Sequence, residues 1–118
     1  MEQIELLKIT IPKDKAYLVD ENVTTFAGIV GEMTTLYAKK NHDYGNAFGE
    51  IIAEVGLPYG VGKLKEKLKR VETLINTKAE VDESLEDSLI DLACYTVMTL
   101  NYLKRKNNGL NASLWLLL

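Results

Sequence analysis

The sequence predicts an all-α fold: a small up-and-down bundle of three long helices and one short one, preceded by a short strand or extended arm. Three observations carry this expectation. Apolar residues recur at steps of three and four over long stretches, which places them on one helix face. The breaks between those stretches are short and rich in turn formers, so successive helices should lie antiparallel. The chain has 118 residues, 47% hydrophobic and 26% charged, which suits one domain with one modest core. The expected organisation is a single domain over 1–118, with an arm at 1–19, a helical core at 20–106 and an apolar tail at 107–118.

The elements follow in order. Ile9-Thr10-Ile11 has β character and ends at Pro12, which predicts the strand or arm, and Pro12 with Asp14 marks a turn. Asp20 can cap the first long helix, and Glu21 suits its first turn. Val23, Phe26, Ala27, Val30, Met33 and Tyr37 share a face of that helix, and Lys39 and Lys40 suit its C-terminal end. Gly28 and Gly31 inside it cost about 1 kcal/mol each relative to alanine, and small residues there let another segment come close. Asn41-His42-Asp43-Tyr44-Gly45-Asn46 reads as a break, followed by a short helix from Ala47 to Val55 that ends at Gly56-Leu57-Pro58-Tyr59-Gly60. A second long helix is expected from Val61 to Asn76, with Val61, Leu64, Leu68, Val71 and Ile75 as a clean apolar seam. The third is expected from a cap at Asp82 to Lys106, with Leu85, Leu89, Leu92, Thr96, Leu100 and Leu103 as its main seam and Asn107-Asn108-Gly109 as its stop. The apolar end, Leu114 to Leu118, is expected to dock on the core or on a partner subunit.

Composition excludes several function classes. The net charge of −3 gives no support for binding duplex nucleic acid. No apolar run approaches the roughly 20 residues that span a bilayer. The first residues lack the basic and then apolar pattern of a signal peptide, so the expected location is the cytoplasm. The single cysteine, Cys94, forms no disulfide within the chain and founds no cysteine zinc cluster. The single histidine, His42, rules out a histidine-rich metal site within one chain. No Gly-rich phosphate loop and no nucleophile elbow is present.

Chemistry concentrates at three places. Glu83, Asp87 and Asp91 are spaced four apart on the last helix, so they line one side of it, opposite the Leu85-Leu89-Leu92 seam. The surrounding Leu89 to Tyr95 is apolar on nearly every side, which predicts a buried or half-buried Asp91. A buried carboxylate needs a cation, a metal or several donors. One reading pairs Asp91 with Lys67 or Arg70 on the neighbouring helix or across an interface. The other has Asp87 and Asp91, with Glu83, hold Mg²⁺, since hard divalent ions prefer carboxylate oxygens. The second place is the break itself, where His42, Asp43 and Tyr44 crowd together beyond what a turn requires. Tyr44 could stack on a base or sugar there, and Asp43 could take a hydroxyl or a metal. The third is the basic run, in which Lys63, Lys65, Lys67, Lys69 and Arg70 fall within eight positions. Lys63, Lys67 and Arg70 share one side, beside the apolar seam, where Lys67 and Arg70 could meet carboxylates or phosphate oxygens. Lys65 and Lys69 point outward as a solvated face. Glu32, Glu50 and Glu54 could complete a carboxylate cluster or simply lie on the surface.

These blocks resemble a known family. Tyr37-x-x-Lys40-Asn41-His42-Asp43-Tyr44-Gly45-Asn46-x-Phe48 is similar to the hallmark loop of the nucleotide modification associated domain 1 family. Lys63-Leu64-x-Glu66-Lys67-x-x-Arg70 and Val81-x-Glu83-Ser84-x-x-Asp87-x-Leu89-x-Asp91-Leu92-Ala93-x-Tyr95 resemble its second and third motifs, in the same order. The acid-rich helical pattern is also similar to that of the MazG-like all-α nucleotide pyrophosphatases, which hold Mg²⁺ between paired-acid motifs. The resemblance implies a nucleotide-binding helical domain of phage type, acting in a bacterial host cell. Its implied ligand-binding residues are His42, Asp43, Tyr44, Lys67 and Arg70, and its implied Mg²⁺ ligands are Glu83, Asp87 and Asp91. It would act on a nucleotide as a Mg²⁺-dependent pyrophosphohydrolase, or sequester a nucleotide-derived signal without catalysis. The remaining alternative is a structural module in which the last helix makes a homo-oligomer interface.

Overall fold

A computed structural model describes residues 2–78, 80 and 83–117, the last eight of these by backbone alone. The described residues form a 3₁₀ helix, Lys13–Leu18, and four α-helices: α1 (Glu21–Tyr44), α2 (Ala47–Val55), α3 (Leu57–Asn76) and α4 (Leu85–Leu117). The all-α expectation therefore holds, with three long helices and one short one. No strand occurs among the described residues, so the start of the chain is an arm. None of their helices is long and apolar enough to cross a membrane. The chain divides into two compact units, Met1–Lys40 and Asn41–Leu118.

In the first unit the arm precedes the 3₁₀ helix, which starts after Pro12. Asp20 caps α1 as expected, its carboxylate accepting from the Val23 N–H at 2.9 Å. Ala27, Val30, Met33 and Tyr37 are half-buried, while Val23 and Phe26 stay exposed. Leu7 of the arm lies 3.9 Å from where a Cβ at Gly31 would stand, so the small residue does admit a neighbouring segment.

In the second unit α2 keeps its expected bounds, whereas the end of α1, the start of α3 and the end of α4 differ from expectation. Asn41-His42-Asp43-Tyr44 is the last turn of α1 rather than a break. The turn is Gly45-Asn46 alone, both residues left-handed at φ 63° and 57°. Glycine adopts that conformation without a steric cost and asparagine tolerates it, so two residues suffice to end α1 and start α2. Likewise α3 begins at Leu57, four residues before its expected start. Gly56, at φ 95°, makes the whole corner, and Pro58 fits the first helical turn because the N–H it lacks would have had no partner there.

The helix α4 is the longest, at 33 residues. Ser84 and Asp87 cap it reciprocally: the Asp87 N–H donates to Ser84 Oγ and the Ser84 N–H to the Asp87 carboxylate, both at 3.1 Å. The expected cap, Asp82, lies outside the described residues. The helix also passes through the expected stop at Asn107-Asn108-Gly109 to Leu117, since no residue there takes a positive φ or otherwise breaks the hydrogen-bond ladder. The expected docking of the apolar end concerns side chains outside the described ones.

Helices α3 and α4 form an antiparallel hairpin. Arg70 meets Glu83 and Ser88, Lys67 meets Asp91, and Gly60 meets Thr99, so partners run in opposite directions. The contact is close because its central residues are small. A Cβ at Gly60 would come within 2.8 Å of Thr99 Oγ1, and Ser88 is fully buried. Among the described residues the buried apolar side chains are Phe48 and Ile52 of α2 and Val71 of α3. This overturns one reading of α4. Leu85, Leu89, Thr96 and Leu100 of the expected main seam are exposed, and the face that meets α3 carries Ser88, Asp91, Tyr95 and Thr99.

Candidate functional site

The hairpin has two flanks of opposite character, set by residue spacing. At 100° per residue, Tyr59, Lys63, Lys67 and Arg70 of α3 fall on one flank. Asp87, Asp91 and Tyr95 of α4 fall on the same side, because the two helices run antiparallel. Phe48 of α2 covers this flank, its ring 5.4 Å from that of Tyr59 and 5.6 Å from that of Tyr95. Such tilted pairs lock three helices together through one aromatic cluster.

Two cations stand one turn apart along this flank. The Lys67 ammonium lies 3.6 Å from the Asp91 carboxylate, with both side chains about four-fifths buried. It also sits 5.5 Å from the centre of the Tyr95 ring, within reach of a cation–π attraction. The Arg70 guanidinium is held at both ends of its fork. Its Nη2 donates to Glu83 at 2.8 Å, and its Nε donates to Ser88 Oγ at 3.1 Å. The Ser88 hydroxyl donates in turn to the Ser84 carbonyl at 3.2 Å, so a fully buried polar side chain is satisfied in both directions. A third cation, Lys63, lies 5.8 Å from the Tyr59 ring centre and 3.9 Å from Glu66.

Glu83, just before α4, and Asp87 and Asp91 within it therefore have distinct local roles. Glu83 holds Arg70, Asp91 holds Lys67, and Asp87 belongs to the helix cap. Among the described residues, no three histidine, cysteine or acidic side chains are grouped so as to hold a metal ion. The pairing of Asp91 with Lys67 is the arrangement that burial of the carboxylate demanded. Arg70 took the neighbouring acid instead, because its longer fork reaches Glu83 and Ser88 together.

His42, Asp43 and Tyr44 stand together at the end of α1, all exposed. The His42 Nδ1 and Asp43 Oδ1 are 3.1 Å apart, and Tyr44 is 68% exposed, so its ring is free to stack on another molecule. Glu32, Glu50 and Glu54 are also exposed. Sequence reasoning missed Tyr59 and Tyr95 as part of the flank. The signal was available, since both lie within one helical turn of a lysine or acid already singled out.

A family model described as nucleotide modification associated domain 1 matches residues 40–103, more than half of the chain. The match spans the His42-Asp43-Tyr44 turn, the basic side of α3 and the acids of α4. No curated protein and no solved structure matches the chain.

Proposed function

This chain belongs to the nucleotide modification associated domain 1 family, and we propose that it binds a nucleotide or nucleotide-derived molecule along the charged flank of the α3–α4 hairpin. The observation that carries the reading is the placement of Lys67 and Arg70 one turn apart, beside the Tyr95 ring and next to Lys63. Guanidinium and ammonium groups on one helix face suit phosphate oxygens, and an aromatic ring beside them suits a base or sugar.

In the free chain the carboxylates of Asp91 and Glu83 serve as counterions. A nucleotide phosphate would replace them at Lys67 and Arg70, exchanging one pair of anions for another without leaving a cation bare. That exchange favours a doubly charged phosphate over a singly charged one. Tyr44 and Asp43 would act from the exposed end of α1, the ring by stacking and the carboxylate by orienting a hydroxyl. Mg²⁺, where it takes part, would arrive on the phosphates. We read the protein as a binder that leaves the nucleotide intact. What supports this is that Glu83, Asp87 and Asp91 already have protein donors rather than converging on one point.

Calorimetric titration of the full chain with linear and cyclic nucleotides, with and without Mg²⁺, tests the proposal. At least one is expected to bind and to be recovered unchanged. Lys67→Ala is expected to weaken that binding about tenfold to a hundredfold, the worth of one charge-assisted hydrogen bond. Absence of heat with every nucleotide would overturn the binding reading, and a cleaved product would replace the binder with an enzyme.

A second reading is favoured by the ion pairs themselves. Each cation already has a carboxylate, so the flank could serve only to hold α3 against α4. Replacing the Lys67–Asp91 pair by Met and Leu separates the two, because a structural role predicts unchanged folding and no effect on any ligand.

A further inference from the structure

The flank of the hairpin opposite the charged one is apolar and open. On α3, Leu57, Val61, Leu64, Leu68, Val71 and Ile75 repeat at steps of four and three, a heptad pattern. Contact within the second unit uses only part of it: Val71 is buried and Leu64 half-buried, while Leu57, Val61, Leu68 and Ile75 are 39–65% exposed. The same division holds on α4. Leu92 and Leu103 are half-buried, while Leu85, Leu89 and Leu100 are 37–49% exposed. Projected at 100° per residue, the exposed members of both helices fall on the same side of the antiparallel pair. They form one continuous two-helix face with no charged residue inside it.

We propose that this face is the interface with a second copy of the chain, which closes a four-helix core. Three arguments select that occupant. The first is pattern, since a heptad half-used within the chain is completed by another helix pair meeting it at coiled-coil spacing. The second is size. From Leu57 to Ile75 the face runs for about 27 Å at 1.5 Å per residue. Two helices side by side make it roughly 20 Å wide, so two copies would bury roughly 1,100 Å² in total, just above the ~1,000 Å² expected of a specific interface. The third is charge. The outer edges of the face carry Lys65 and Glu72 on α3 and Glu86 and Lys104 on α4, all exposed. Both signs on each helix let the edge pair with its own image across a two-fold axis. A partner would also enlarge the core, because only three apolar side chains are buried among the described residues of this unit.

Self-association through this face requires no nucleotide. Sedimentation equilibrium of the full chain at micromolar concentration should give about twice 13.2 kDa. Leu68→Glu combined with Leu89→Lys should weaken self-association by about a hundredfold or more, because each puts a charge into an apolar interface. Val97→Lys, on the outward side of α4 where Val97 is 59% exposed, should leave the mass unchanged. Should the double variant unfold, Leu89→Cys in a Cys94→Ser background supplies a second readout. It should form a disulfide-linked dimer on mild oxidation, whereas Val97→Cys in the same background should not. A 13.2 kDa species for the unaltered chain would overturn the proposal, as would a dimer that survives both charges or one that links through position 97 and not 89. Any of these would leave the face to another segment or another protein.

Discussion

The two flanks of the α3–α4 hairpin differ in what they ask of their surroundings. The charged flank is complete within the chain, because Lys67, Arg70 and Ser88 each find a partner on the facing helix. The leucine flank is incomplete, with most of both seams still exposed. The difference follows from the contact between them. Gly60, Ser88 and Thr99 bring the helix axes close, and only small side chains fit there. The long leucines are displaced to one side and the long charged residues to the other. Neighbouring carboxylates can satisfy the charged side. Only more apolar surface can satisfy the leucines.

The comparison can be broken first at its centre. Gly60→Val places a branched side chain where a Cβ already comes within 2.8 Å of Thr99. It should destabilise the protein by about 3 kcal/mol, read from the urea midpoint, because the helices must separate. Pairing it with Thr99→Ala should recover part of that loss. If Gly60→Val is harmless, close approach is not what holds the two flanks apart.

Next comes the charged flank. Asp91→Ala leaves the largely buried Lys67 ammonium without its carboxylate, and should cost about 2 kcal/mol. The double change Lys67→Met with Asp91→Leu should instead fall within about 1 kcal/mol of the parent, since an apolar pair needs no counterion. Equal losses in the single and double variants would mean that packing, not charge, carries the contact. The smallest effect is at the cap. Ser84→Ala removes one side of the reciprocal pair with Asp87 and should lower stability by about 1 kcal/mol. Amide exchange should show the loss as fraying confined to the first turn of α4.

Much of this was legible from residue spacing. The four helices were, and α2 was read to its exact residues, because glycine and asparagine punctuate it on both sides. The shared side of Glu83, Asp87 and Asp91, its position opposite the leucines, and the placement of Lys67 and Arg70 were legible too. Helix ends were less so. Asn41 to Tyr44 look like turn residues but complete a helical turn, because Gly45 and Asn46 suffice to break the helix. Asn107-Asn108-Gly109 looks like a stop, but without a positive φ it only weakens a helix that continues. Tyr59 and Tyr95 were overlooked because aromatic residues at helical spacing ordinarily signal core, and their approach to Phe48 requires α2 to be in place.

Periodicity determines the angle at which each side chain leaves its own helix, so the sequence alone established one acidic stripe, one basic stripe and one leucine stripe. It says nothing about the direction from which a neighbour arrives. That was decided in three dimensions, where backbone approach selects the least bulky line of contact. The seam richest in leucine was therefore left on the outside of the pair, and Ser88, Asp91 and Thr99 were turned inward.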